Sequence, residues 1–257
     1  MAEEKNFFAD SEAYERSMGR LSRVAGEAFL DWLSLPSGLR CLDVGCGTGS
    51  FTELWLDRNA PSAMYAIDPS EGQIALAKGK PWASRVDLRV GDAMSLPFGD
   101  DEFDVAVMAL VIQYIPDRTQ AMSEITRVVR QGGTVAAYVW PAPGEGPPTQ
   151  PLQDAVKSIG VSRGRRPGKK IRTIEGLTEL FETSGLEAID SRSIESQFIF
   201  KDFDDYWSSQ TGETIRDLSD ADVKRLKAFL RDSLPTDENG QISYTARANA
   251  IRGRVPE

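Results

Sequence analysis

Gly45, Gly47 and Gly49 stand at alternate positions in the stretch LDVGCGTGS, directly after a short apolar run. Glycine at such a turn lets the backbone adopt φ > 0 and approach a ligand with no Cβ in the way. Taken alone, the turn admits three readings: a pyrophosphate cradle, a site for a nucleoside without phosphate, and a structural bend from strand to helix. Acidic residues fall at regular places around it: Asp43 within the motif, Asp68 in YAIDPS, and Asp92 in VGDA. Asp68 lies 19 residues past Gly49, the spacing at which a carboxylate accepts hydrogen bonds from both ribose hydroxyls. Asp92 could accept from an exocyclic adenine amine, and Asp43 would set negative charge beside a cationic group. Each also has a plainer reading: a helix N-cap for Asp68, a turn residue for Asp92, and a partner of local backbone amides for Asp43.

The spacing narrows the choice of ligand. A dinucleotide fingerprint has its third glycine three residues beyond the second, and that place is Ser50, with Gly49 one residue early. Carboxylates at positions 43 and 92 would also crowd a pyrophosphate, which needs cations or bare amides. A nucleoside bearing positive charge fits better. The chain contains no histidine, which removes imidazole bases, Ser-His and Cys-His dyads and the commonest metal ligand; no metal is expected.

The bulk composition fits small-molecule work. In 257 residues with 40% hydrophobic and 27% charged content there is room for one sizeable core. A formal net charge of -9 argues against a broad footprint for nucleic acid or anionic lipid. The N-terminus has no signal-peptide pattern, and no apolar run reaches the length of a membrane span, so a cytoplasmic location is expected. Cys41 and Cys46, five apart on an extended segment, are expected as reduced thiols.

The elements that must position these residues follow from the pattern. RCLDV, AMYAI, VDLRV, FDVAVMAL and GGTVAAYVW are short apolar runs separated by helix-sized segments, the signature of a parallel sheet buried on both faces. The fold class is α/β, doubly wound. Every polar outlier, including the end of the fourth run at Ala109 to Gln113, then falls at the carboxyl ends of strands, where open α/β sheets bind ligands. Residues 11–33 read as two helical pieces. The helix before the fifth run is capped by Asp117, carries Met122, Ile125, Val128 and Val129 inward, and ends at Gly132-Gly133. The Pro/Gly-rich stretch 141–151 leaves the sheet. Beyond it come helices in PLQDAVKSIG, in TIEGLTELFETSG (capped by Thr173, stopped by Gly185) and in the segment opened by Ser219. Strands in EAIDSRSIESQFIF and QISYTARANAIRG would return antiparallel at one sheet edge. The run SRGRRPGKKIR, residues 162–172, concentrates six basic residues in a loop. It reads as a solvated face, with an acidic substrate or RNA as alternatives.

LDVGCGTGSFTE, AIDPSEGQIALA, VGDAMSLPFGDDEFDVAVMALVIQYI and EITRVVRQGGTVAAYVW, in that order, resemble the successive motifs of class I S-adenosylmethionine-dependent methyltransferases, in the group of the ubiquinone/menaquinone biosynthesis enzymes. YERSMGRLSR and ARANAIRGRV look familiar from the same group. The resemblance implies a mostly parallel seven-stranded sheet with its last strand antiparallel and a variable insertion after strand five. It implies an N-terminal helical lid over 1–35, a cofactor core over 36–141, and a variable substrate cap with the closing strands over 142–257. It implies S-adenosylmethionine bound by Asp43, Gly45, Cys46, Gly47, Gly49, Asp68, Pro69, Asp92, Ala93, Met94 and Ala109, with Asp43 on the methionine ammonium. Met18, Gln113, Tyr114 and Trp140 would line the acceptor pocket, and Tyr14, Gln113 and Tyr114 are the candidates for a catalytic role. Many relatives carry histidine where this chain has Gln113-Tyr114. The expected partner is a small-molecule acceptor, on a monomer or homodimer. The rival readings are a nucleoside-binding sensor or scaffold without turnover and an NAD(P)-dependent oxidoreductase.

Overall fold

Each apolar run in the sequence is a strand: β1 (Arg40–Val44), β2 (Ala63–Asp68), β3 (Asp87–Val90), β4 (Phe103–Ala109) and β5 (Val129–Val139). A computed structural model describes residues 19–161, 168–210, 215 and 218–257 of the chain. The five strands are parallel and are joined by β6 (Glu187–Phe200) and β7 (Ile242–Arg254) in the order β3-β2-β1-β4-β5-β7-β6. β7 runs antiparallel to both β5 and β6. Of the two returning strands, therefore, only β7 opposes the first five, and it is inserted between β5 and β6. The α/β, doubly wound class with one reversed strand stands.

Alternation along the central strands explains burial on both faces. Val105 and Val107 of β4 join one apolar cluster, with Phe29, Trp55 and Tyr138, while Ala106 and Met108 join another, with Met122, Ile125 and Phe181. The first face is covered by α1 (Arg20–Leu33), α2 (Ser50–Asn59) and α3 (Glu71–Lys78), followed later by α5 (Gln150–Ser158), α7 (Phe203–Ser208) and α8 (Asp220–Ser233). The second is covered by α4 (Arg118–Val128) and α6 (Ile174–Thr183). The described helix of the 11–33 pair, α1, buries Leu21, Ala25, Phe29, Leu30 and Leu33. The expected caps are present: Asp117, Thr173 and Ser219 each accept a hydrogen bond from the backbone N–H three residues on.

One boundary differs from the expectation. α4 ends at Val128, and Gly132-Gly133 lie inside β5 rather than terminating the helix. The β-branched pair Val128-Val129 passes straight into the ladder, with Val129 opposite Phe103, and the register then slips before Thr134 meets Val105. Gly132 takes φ +68 in that irregularity. A Cβ on Gly133 would lie 2.6 Å from Val129 and 2.7 Å from the Arg130 carbonyl. These glycines serve a bulge, and Gly132 N–H and Gly133 C=O are paired with Val255 instead.

Candidate functional site

The glycine turn hangs from the end of β2. Gly45 and Cys46 N–H both donate to the Ile67 carbonyl, at 2.7 and 2.9 Å, and Gly47 N–H donates to Asp68 Oδ2 at 2.9 Å. All three glycines have positive φ, at +78, +57 and +87, and Gly49 caps α2. Their surroundings differ. A methyl at Gly45 would lie 2.5 Å from the Val111 side chain, and one at Gly49 would overlap the Trp82 ring. A methyl at Gly47 would meet only Gln73 Oε1, at 4.0 Å. Two of the glycines make room for the protein's own side chains, and the third leaves bare main chain facing open space.

Asp43 lies beneath this turn, fully buried in β1. Thr52, on the first turn of α2, donates its hydroxyl to Oδ2 at 2.6 Å, whereas Oδ1 is buried with no partner. Burial pushes the Asp43 carboxyl up to about 7; the Thr52 hydrogen bond opposes that shift and the charge of Asp68 adds to it. Asp68 is also raised, chiefly by burial, against the lowering effect of amide hydrogen bonds from Ser70 and Gly47. The helix-cap role, its alternative reading, belongs to Ser70, which accepts from Gln73 N–H, while Asp68 Oδ1 accepts from Ser70 N–H. Each carboxylate oxygen of Asp68 retains a second lone pair for a further donor. Burial raises both thiols as well, Cys41 to about 12 and Cys46 well above its usual range, with Asp43 and Asp68 adding to the latter. Both cysteines are free and buried, so neither supplies a thiolate.

The remaining expected residues line the same edge. Asp92 is exposed beyond β3, with Oδ1 accepting from Met94 N–H at 2.9 Å; Ala93 is buried and Met94 partly so. Pro69 is exposed beside Asp68, and Ala109 ends β4 half-buried. The chain then turns through Leu110, a non-glycine residue at φ +63, so that Val111 packs against Gly45 and Gln113 is buried, its Nε2 donating to the Leu110 carbonyl and its Oε1 without a partner. Tyr114 is exposed. Trp140, just past β5, is buried edge-on against Tyr138 and Phe198, with its Nε1 unpartnered. Tyr14, Met18 and residues 162–167 of the basic run lie outside the described residues.

Spacing did not reveal four residues that build the site: Thr52, Trp82, Val111 and Arg172. Arg172 contradicts the solvated reading of its part of the basic run, because it is buried, donates from Nη1 to the Trp140 carbonyl at 3.3 Å, and has its Cζ 6.0 Å from the Tyr114 ring centre. The signal was its position between Ile171 and the cap Thr173, one residue from the start of α6.

A cleft of about 420 Å³ opens at the other, amino-terminal edge of the parallel strands, lined among others by Leu39, Asp104, Arg130 and Arg252. Arg130 is paired there with Asp104 and Arg252 with Asp190. Arg254, also on its lining, donates to the Gly132 carbonyl, and the cleft contains none of the unpartnered polar atoms found beside the glycine turn. Among the described residues no cluster of His, Cys, Asp or Glu could hold a metal, and no helix is long and apolar enough to cross a membrane.

Residues 42–137, from β1 to the middle of β5, match the family described as a methyltransferase domain. Over that span the chain is similar to methyltransferases. It resembles the ubiquinone/menaquinone biosynthesis C-methyltransferase of Dinoroseobacter shibae, at 35% identity over 45% of this chain and 48% of that protein. It also resembles the malonyl-[acyl-carrier protein] O-methyltransferase of Pectobacterium atrosepticum, at 33% identity over 53% of this chain and 54% of that one. The chain thus spans about half the length of the curated relatives it matches. In fold, the chain superposes on Haemonchus contortus phosphoethanolamine N-methyltransferase 2, solved with phosphomonomethylethanolamine and S-adenosylhomocysteine. That match has a TM-score of 0.60 at 18% identity and covers 98% of this chain and 59% of the other.

The unequal roles of the glycines predict unequal costs. Gly45→Ala combines a strained φ with overpacking against Val111 and should lower unfolding free energy in urea by about 2–4 kcal/mol. Gly47→Ala should cost only about 1–2 kcal/mol; equal losses would contradict the difference in their surroundings. Asp43→Asn should act through pH. Because the folded-state value is raised above the unfolded one, the contribution of Asp43 is fully present below about pH 4 and is lost as pH rises through 7. The asparagine variant should therefore gain melting temperature relative to the parent at pH 8 and not at pH 4, and a pH-independent difference would refute the assignment.

Proposed function

We propose that this chain is an S-adenosylmethionine-dependent methyltransferase acting on a small-molecule acceptor. The observation that carries this reading is the pairing of bare backbone at Gly47 with the buried, half-partnered carboxylate of Asp43. A cationic nucleoside fits both. Asp43 would turn its free oxygen toward the ligand's ammonium, Asp68 would accept from the ribose hydroxyls, and Asp92, Ala93 and Met94 would hold the adenine. Gly45, Cys46, Gly47, Gly49, Pro69 and Ala109 would complete the cradle. S-adenosylmethionine supplies an electrophilic methyl group on a sulfonium. The protein's task is then to hold a nucleophile in line and exclude water, a proximity effect of up to roughly 7–11 kcal/mol.

The residues that face the acceptor side support a mechanism without a strong base. Gln113 and Tyr114 occupy the segment after β4, where Gln113 is committed to holding the Leu110 turn. They and Trp140 would position an acceptor that ionises readily. Residues 36–141 form the cofactor half and 142–257 the acceptor half. The described helix of the N-terminal portion, α1, is fixed in the core. The relatives are named as methyltransferases and none of the site's features favours a nicotinamide cofactor or a scaffold without turnover.

Calorimetry tests the cofactor half. Asp68→Ala should weaken S-adenosylhomocysteine binding by about 1.5–3 kcal/mol through loss of charged hydrogen bonds, and unchanged affinity would remove Asp68 from the site. The affinity should also rise between pH 5.5 and 7, by up to about tenfold per unit, because Asp43 must shed a proton to face an ammonium. Asp43→Asn should flatten that dependence. Absence of any binding heat from either nucleoside on folded protein would reject the function itself.

A further inference from the structure

A guanidinium buried without a counter-charge is costly unless something else completes it, and Arg172 is such a group. Its relative exposure is 7%. Nη1 donates to the Trp140 carbonyl, Nε is buried with no partner, and no carboxylate pairs with the side chain among the described residues. What surrounds it, a carbonyl and the ring of Tyr114 at 6.0 Å, does not neutralise a full charge. The fork is therefore half used: Nη1 is spent, and Nε and Nη2 have no hydrogen-bond partner among the described residues.

The position of Arg172 is fixed on several sides. Asn249 Nδ2 donates to the Arg172 carbonyl at 2.8 Å, from the β7 residue opposite Val139 at the carboxyl end of β5. Arg172 closes the short helical turn Lys170–Arg172, whose Lys170 carbonyl lies so close to Gly176 that a side chain there would overlap it. Gly168, on the approach to that turn, lies within 3.1 Å of the Gln113 carbonyl, measured from where a Cβ would stand. A continuous path thus leads from the glycine turn through Val111 and Gln113 to Arg172 and Trp140, along one edge of the sheet. Three buried polar atoms on it have no partner: Gln113 Oε1, Trp140 Nε1 and Arg172 Nε.

We propose that the methyl acceptor carries a carboxylate, and that Arg172 binds it through the unpartnered Nε/Nη2 edge of its guanidinium, beside Gln113 and Tyr114. Two parallel N–H donors match the two oxygens of a carboxylate in plane. A single buried positive charge neutralises a monoanion, which favours a carboxylate over a phosphate dianion. This anchoring rests on the methyltransferase reading for the word acceptor, while the anion site itself does not depend on it.

The test is a titration of the full chain with benzoate, benzamide and phenyl phosphate, with and without saturating S-adenosylhomocysteine. The wild type should bind benzoate, and Arg172→Gln should weaken it roughly 10- to 100-fold while still binding S-adenosylhomocysteine. An Arg85→Gln control, altering an exposed arginine paired with Asp57, should change neither. Equal benzoate affinity in R172Q, equal binding of benzamide and benzoate, tighter binding of phenyl phosphate, or no benzoate binding by the wild type would each overturn the proposal. If R172Q does not fold, the wild type decides through the Arg172 Nε–H nuclear resonance, assigned by its loss in R172K. That resonance should shift saturably with benzoate and not with benzamide, and no shift overturns the proposal. Loss of nucleoside binding by the wild type, with the benzoate result intact, would reject the cofactor reading and leave the anion site standing.

Discussion

A carboxylate enclosed in a parallel sheet with one oxygen unpartnered is the constraint around which this domain is arranged. Asp43 sits fully buried near the carboxyl end of β1, between β2 and β4, and among the described residues only the Thr52 hydroxyl is hydrogen-bonded to its side chain. Such a group is expensive to keep ionised. It is tolerable because the neighbouring backbone supplies what the side chains do not: the turn above it leaves open space rather than a plug, and Asp68 braces that turn from the next strand. A buried carboxylate oxygen left without a partner beside such a turn is the kind of local violation that marks functional sites.

The same logic joins the two halves of the site. Val111 presses on Gly45 from the segment after β4, and the following residue but one, Gln113, is held by the strained Leu110 turn. Any substance that alters the 110–114 segment therefore bears on the glycine turn through direct contact. The proposed cofactor and acceptor regions would share a wall made of one short stretch of chain.

Much of this was legible from spacing alone. The five parallel strands announced themselves as apolar runs, because strands buried on both faces leave no polar alternation to confuse with a helix. The caps at Asp117, Thr173 and Ser219 were legible because capping is a local hydrogen bond between neighbours in sequence. The end of α4 was not, because Gly132-Gly133 look like a helix stop and only the register with β4 and the contact to Val255 reveal a bulge. Asp43, Asp68 and the glycines were found through fixed spacing to one another. Trp82, Val111 and Arg172 were not, since their importance lies in contacts between segments distant along the chain, and no periodicity records those.

The placement of β7 carries a consequence for how the molecule comes to be made. Residues 242–254 occupy an interior slot, between β5 and β6, although they follow both in sequence. Until the ribosome has released that segment, β5 presents an open flank and β6 has no neighbour, leaving two lengths of naked ladder available to other nascent chains. The sheet is therefore completed last at its interior, where β7 enters between two strands that precede it in the chain.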